Sequence, residues 1–189
     1  ATMTDLLRWF AGGFSTDLME QLVFYGSFHA NPLNQLIHVI FVPLIWFTAA
    51  IWLAYTGPAP YFNLSTVAFI AYASYFAMLD FDVALVVNAI YFVLFVLANR
   101  IVAQERSARF VKRGSNAKPK QTKPTYRAAK VAFVLHVVGW AAQLLSHKYI
   151  EGRAAALTVS FVQSLVLAPL FVFYEAAFWL FPMWRPEMQ

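Results

Sequence analysis

An all-α fold, a polytopic integral membrane helical bundle of about five transmembrane helices, is what this sequence predicts, and three observations carry that reading. Of the 189 residues 61% are hydrophobic and only 12% are charged, whereas soluble domains carry charge on roughly a quarter of their residues. No Asp, Glu, Lys or Arg occurs between Glu20 and Asp80, a run far longer than the roughly 20 residues of one crossing. Of the 14 basic residues most crowd between Arg100 and Lys130, where Glu105 is the one acid. Such a block sets orientation by the positive-inside rule and can touch anionic headgroups. Membrane lipid is therefore an expected partner. Nucleic acid is not, because the block lacks aromatic interleaving and lies between spans. The absence of cysteine excludes disulfides, zinc ribbons and iron–sulfur ligation, and leaves histidine and carboxylate as the good metal ligands. A single membrane domain over residues 1–189 is the simplest division.

The elements follow in order. Residues 1–24 mix acids with Leu, Trp and Phe, and Gly12-Gly13 interrupts any continuous helix. That pattern suits an N-terminal interfacial helix better than a signal peptide, since no basic region precedes an apolar core. Asn31 is placed to cap, and Pro32 to open, a first span over residues 33–55. A turn over 56–60 leads to a second span over 61–79, and the Asp80-Phe81-Asp82 turn to a third over 83–99. The helix continues briefly into the basic loop 104–127, which Gly114, Pro119 and Pro124 make flexible. A fourth span covers 128–147, Glu151-Gly152-Arg153 form a short connection, and a fifth span covers 154–180, with Pro182 beyond it. Trp46, Trp52, Trp179 and Trp184 lie near segment ends, as an aromatic belt would. Counting crossings puts His29, His38, Asp80, Asp82, His147 and Glu151 on one side of the membrane and the basic loop on the other, the cytosolic side.

All four histidines fall in two polar clusters within otherwise apolar sequence: His29 and His38 with Asn31 and Asn34, then His136 and His147 with Gln143 and Glu151. Imidazole suits iron, copper, nickel and zinc, so four histidines converging from two segments form a metal cage. The alternative is that each hydrogen-bonds between helices, the commoner role of one histidine in a span. In an unbroken helix His136 and His147 would stand about 16 Å apart, too far for one ion, so the cage requires a break at Gly139 or near Ser146 or a second layer. His147 and Glu151 are four apart and would be neighbours on a continuing helix, with Glu151 as ligand or as the acceptor that fixes the His147 tautomer. Asp80 or Asp82 could add a carboxylate ligand, against their reading as turn and cap residues. Asn88 and Asn99 read as interhelical hydrogen-bonders, and Glu175 as a costly acid in need of a partner or a wet cavity. Lys148 and Arg153 flank the second cluster and could hold a lipid carboxylate or snorkel.

Taken in chain order, Tyr25, His29-Ala30-Asn31-Pro32, Asn34, His38 and Pro43, then Gln143, His147, Glu151-Gly152-Arg153, Ala156-Leu157 and Ala168-Pro169-Leu170-Phe171 resemble the fungal endoplasmic-reticulum 2-hydroxy fatty acid dioxygenases and their relatives. The likeness spans nearly the whole chain; Ala155 departs from it, standing where proline is expected. The resemblance implies an Fe(II)-dependent enzyme of fatty acid α-oxidation in phytosphingosine breakdown. Its substrates would be a 2-hydroxy long-chain fatty acid and O2, its product a fatty acid one carbon shorter. No 2-oxoglutarate is implied, because the substrate itself supplies electrons. With the residue reading it gives His29, His38, His136 and His147 as metal ligands. Glu151, Gln143, Asn31 and Asn34 become the catalytic residues around them, and Tyr25, Lys148 and Arg153 candidate substrate contacts. The membrane would be the endoplasmic reticulum in a eukaryote or the inner membrane in a bacterium. Two other classes stay open, a bis-histidine haem protein for electron transfer and a non-enzymatic scaffold or transporter. A di-iron desaturase needs more histidines than the 4 present.

Overall fold

The computed structural model describes residues 15–108, 110–111, 120–121 and 125–181. The first four helices each begin where a short polar side chain satisfies free amides of the first turn. Asp17 caps α1 (Leu18–Gly26), and Asn31 caps α2 (Pro32–Ala54), with Pro32 in its first turn as the sequence predicts. Asn63 caps α3 (Leu64–Leu79) and Asp80 caps α4 (Phe81–Ser107). The helix α5 (Arg127–Ser146) runs without interruption into one π turn, His147–Glu151. A 3₁₀ turn, Ala156–Thr158, precedes α6 (Phe161–Leu180). In the basic loop, Phe110–Val111 (β1) and Lys120–Gln121 (β2) pair antiparallel, so that loop is not wholly irregular.

Four stretches are long and apolar enough to cross a membrane: Pro32–Ala54, Phe81–Ser107, Arg127–Glu151 and Phe161–Leu180. The expected count of five is thus corrected to four among the described residues. The helix over the expected second span, α3, has 16 residues and measures about 24 Å, short of the roughly 30 Å hydrocarbon core. The last span opens at Phe161 rather than at residue 154. There Thr158 Oγ1 donates to the Ala155 carbonyl at 2.8 Å, a local bond that competes with helix. Residues 1–14 of the expected interfacial helix, with Gly12 and Gly13, lie outside the described residues, as do Pro182 and Trp184.

Helix α2 is the hub, packed against α3, α4, α5 and α6, and its closest partner is α5. Gly139 permits that approach, because a Cβ there would stand 2.8 Å from Ile45 Cγ1. Trp46 is buried in the core against Tyr91 and Tyr72, at 5.0 and 6.2 Å between ring centroids, rather than placed in an interfacial belt. Asn88 donates to the Ala73 carbonyl, and Asn99 Oδ1 accepts from Asn63 Nδ2 at 2.7 Å, the interhelical bonds expected of them. Glu105, the acid inside the basic block, accepts from the Tyr55 hydroxyl, the Thr125 hydroxyl and the Arg127 and Ala128 amides. It thereby ties the end of α2 and of α4 to the start of α5. The basic loop joins the bundle at that end, and His29, His38 and His147 lie at the other.

Candidate metal centre

Three histidines meet at the second end. His29 sits in the turn between α1 and α2, His38 lies two turns into α2, and His147 opens the π turn after α5. All three are buried, and one ring nitrogen of each lies within 4.8 Å of those of the other two. Their rings stand edge to face with centroids 4.5, 4.8 and 4.9 Å apart. His29 Nδ1 donates to the Tyr25 carbonyl at 3.0 Å, and His38 Nδ1 to the Asn34 carbonyl at 2.9 Å. Those bonds put the proton on Nδ1 and free the Nε2 lone pair for a ligand, a tautomer assignment that rests on the acceptors. His29 Nε2 and His147 Nδ1 are buried with no hydrogen-bond partner. A buried nitrogen left unpaired is costly. Orphaned imidazole nitrogens converging on one point are what a bound divalent metal would satisfy, so the cluster is capable of coordinating one. Burial, together with the neighbouring His38, pushes the His29 imidazole down to about 2, so it is neutral and ready to ligate at any physiological pH.

His136 is the correction. It stands apart from this cluster, its Nδ1 bonded to Thr48 Oγ1 at 2.8 Å and its Nε2 accepting from Trp140 Nε1 at 2.9 Å. Both nitrogens are committed, and α5 stays helical from Arg127 to Ser146, which preserves the axial separation that the fourfold cage needed to lose. The backbone does change at the Ser146–His147 junction, but by widening into a π turn, a feature frequent at functional sites.

Glu151 also differs from expectation. It does not hold the His147 tautomer; Oε1 accepts from the Ala30 amide at 2.9 Å, and Oε2 from the Asn31 amide at 3.0 Å and Asn34 Nδ2 at 3.1 Å. From the end of the π turn Glu151 reaches instead the two amides that immediately precede α2. Gly152 then closes the turn at φ 69°, a conformation that favours glycine. Asn34 is fully buried and links both halves: besides Glu151, its Oδ1 accepts from Ser146 Oγ at 2.6 Å. Asn31 caps α2, and its Nδ2 reaches the Ile150 carbonyl. Sequence reasoning overlooked Ser146 and Gln35, whose Nε2 holds the His29 carbonyl at 2.8 Å while Oε1 accepts from Trp179. Both are polar residues beside a motif residue in apolar sequence, which was the available signal. Asp80 takes the cap role, accepting from the Val83 amide and from the Tyr174 hydroxyl; neither it nor Asp82 joins the histidines.

The cluster opens into an apolar cavity of about 730 Å3, in the range of small-molecule sites. Among the described residues no Asp, Glu, Lys or Arg lines it. Tyr25 and Gln143 do line it, and Gln143 Nε2 is a buried donor without a partner. Tyr25 stacks on His29 at 3.9 Å and on Phe171 at 4.6 Å, fixing the plane of the His29 ring. Among the described residues the Tyr25 and Tyr91 hydroxyls and Glu175 Oε2 are buried without hydrogen-bond partners, so Glu175 leaves one carboxylate oxygen unpaired. A smaller cavity of about 270 Å3 shares His147, Leu144 and Ala155 with the first and is lined by Lys148 and Arg153. Arg153 also donates to the Ser27 carbonyl at 3.0 Å.

Comparison with known proteins gives the chain's family. No solved structure matches the chain. The 2-hydroxy-palmitic acid dioxygenase MPO1 of Saccharomyces cerevisiae is 31% identical over 162 residues, 86% of this chain and 80% of that protein. The model of the 2-hydroxy-palmitic acid dioxygenase Mpo1-like family matches residues 15–180, from the start of the described chain to the end of α6. All three histidines fall within that match, and the chain belongs to the Mpo1-like family.

Proposed function

We propose that this protein is an Fe(II)-dependent dioxygenase that takes a 2-hydroxy long-chain fatty acid and O2 to a fatty acid one carbon shorter, breaking the bond between C1 and C2 and releasing C1 as CO2 together with one water. The observation that carries this reading is the set of open histidine nitrogens at the head of an uncharged cavity, in a chain of the Mpo1-like family. His29, His38 and His147 would hold the metal. When bound, Fe(II) supplies the redox chemistry that lets O2 react with a singlet organic substrate.

The chain's own residues do the rest. The Tyr25 and Asn34 carbonyls hold two imidazoles in the ligating tautomer, and the Glu151 bridge keeps the loop bearing His29 beside the turn bearing His147. The Gln143 amide is an unspent donor for a carboxylate or hydroxyl oxygen, and Lys148 and Arg153 give the smaller cavity a charge that attracts an acid. The apolar walls exclude water and accept the hydrocarbon tail, whose burial is worth about 0.8 kcal/mol per methylene. A haem reading fits less well, because rings with centroids 4.5–4.9 Å apart leave no slot for a macrocycle between any two. The test is anaerobic purification, metal analysis, and O2-dependent turnover of a 2-hydroxy long-chain acid followed by product mass. One carbon lost per O2 consumed is expected; an iron-replete protein that leaves the substrate intact would sink the proposal.

A further inference from the structure

The histidine cluster accounts for one end of the large cavity, and the other end carries a histidine with no metal to bind. His38, Val42, Ile45, Ala49 and Trp52 line the cavity from α2, and their spacing of three or four keeps them on one helix face. Gln143, Trp140 and His136 line it from α5, and His147 from the π turn that follows. Helical rise places Trp52 about 21 Å from His38, and His136 about 16 Å from His147. One leaflet of a bilayer holds its acyl chains within about 15 Å, half the hydrocarbon core. The bore is therefore at least as long as the depth that a long acyl chain spans in one leaflet.

Its two ends differ in chemistry. The histidine end adjoins Lys148 and Arg153 through the shared residue His147. At the far end the Trp52 ring lies 4.6 Å from that of His136, and Trp52 Nε1 donates to the Ala129 carbonyl at 3.1 Å. Trp140 and Thr48 occupy both nitrogens of His136. The wall is thus aromatic, fixed across α2 and α5, and its histidine has nothing left to offer a polar headgroup.

Resting on the function proposed above, we propose that Trp52 and His136, held by Thr48, Trp140 and Ala129, form a stop for the methyl end of the acyl chain and set the chain length this enzyme selects. The acid group lies at the histidine cluster, and the tail runs along α2 toward Trp52. Ala49, one step of about 4.5 Å nearer the histidines, leaves the bore open just before the wall. His136 then has a structural reason for its depth: it is the hydrogen-bonded backing of an aromatic stop.

The experiment is internal competition among an equimolar series of saturated 2-hydroxy acids differing by two methylenes, using the full chain in lipid nanodiscs. Trp52→Ala should move the kcat/KM optimum to longer acids, and Ala49→Phe to shorter ones, by roughly fourfold for each methylene gained or excluded. Trp52→Phe, which keeps a ring, should retain the parental optimum. The same series is offered to metal-free protein and the retained acids are weighed by mass spectrometry, a readout that needs no turnover. Matching shifts in retention support the stop even if the parent protein consumes none of the acids, an outcome that would overturn only the assigned reaction. If Trp52→Ala does not fold, Ala49→Phe decides. Unchanged chain-length ratios in the folded variants would overturn the stop and mean that the tail leaves the bundle sideways.

Discussion

His29 and His136 show how one side-chain type serves two ends of a cavity. His29 keeps one nitrogen unpaired against its own burial, whereas His136 has none to spare. Replacing His147 by Ala should therefore abolish stoichiometric metal binding, while His136→Ala should retain it, as measured by metal analysis of the two purified variants. Acid titration gives a second prediction. His29 titrates near 6.5 in the unfolded chain and is pushed down to about 2 in the fold, so between those values the unfolded state binds more protons. Its contribution is full above pH 6.5 and is lost as pH falls toward 2. Metal-free protein should show a melting temperature that falls on acidification below 6.5, and His29→Asn should flatten that slope. A slope unchanged by the substitution would remove His29 from the explanation.

At the scale of elements, the centre is a junction between the start of α2 and the end of α5, and Glu151 is its clasp. Its carboxylate accepts from the Ala30 and Asn31 backbone amides just before α2 and from the Asn34 side-chain amide, where a helix N-terminus favours negative charge. Glu151→Gln keeps the size but presents a donor where only acceptors fit. Loss of buried hydrogen bonds of this kind costs about 1–3 kcal/mol. Because the clasp orients two ligand-bearing segments, metal affinity should drop by about 10- to 100-fold, read by competition with a chelator. Unchanged affinity with lowered stability would make the clasp purely structural. Glu151 ends a π turn, a winding that was not predictable from the spacing of His147 and Glu151.

Across the whole molecule, the histidine cluster and the Glu105 knot occupy opposite ends of the bundle, joined by α2, α4 and α5. The chain has no cysteine, so single cysteines report topology without background. Ser27→Cys, in the exposed turn before α2, and Ser107→Cys, at the exposed end of α4, should label from opposite faces of sealed vesicles with an impermeant thiol reagent. That result requires the short α3, which starts beside the end of α4 at Asn63 and Asn99, to return the chain across the bilayer between α2 and α4, and labelling of both from one face would mean that it does not. The cavity lies where α5 faces α3 and α6 while packing mainly on α2, so its volume is a consequence of the bundle's connectivity.

Charge exclusion between Glu20 and Asp80, the caps at Asn31 and Asp80, and the clustering of histidines were legible in the sequence, because they depend on local chemistry and on the cost of polar groups in apolar surroundings. So was the family, through motifs carried in order along the chain. Which histidines meet was not legible: spacing gave His136 and His147 a common helix face but could not say that Thr48 and Trp140 hold the former. Nor did spacing reveal that Glu151 serves α2, that Trp46 is core, or that α3 is short of a full crossing. Those outcomes are set by long-range partners, and only tertiary packing chooses among partners that a linear chain leaves equally available.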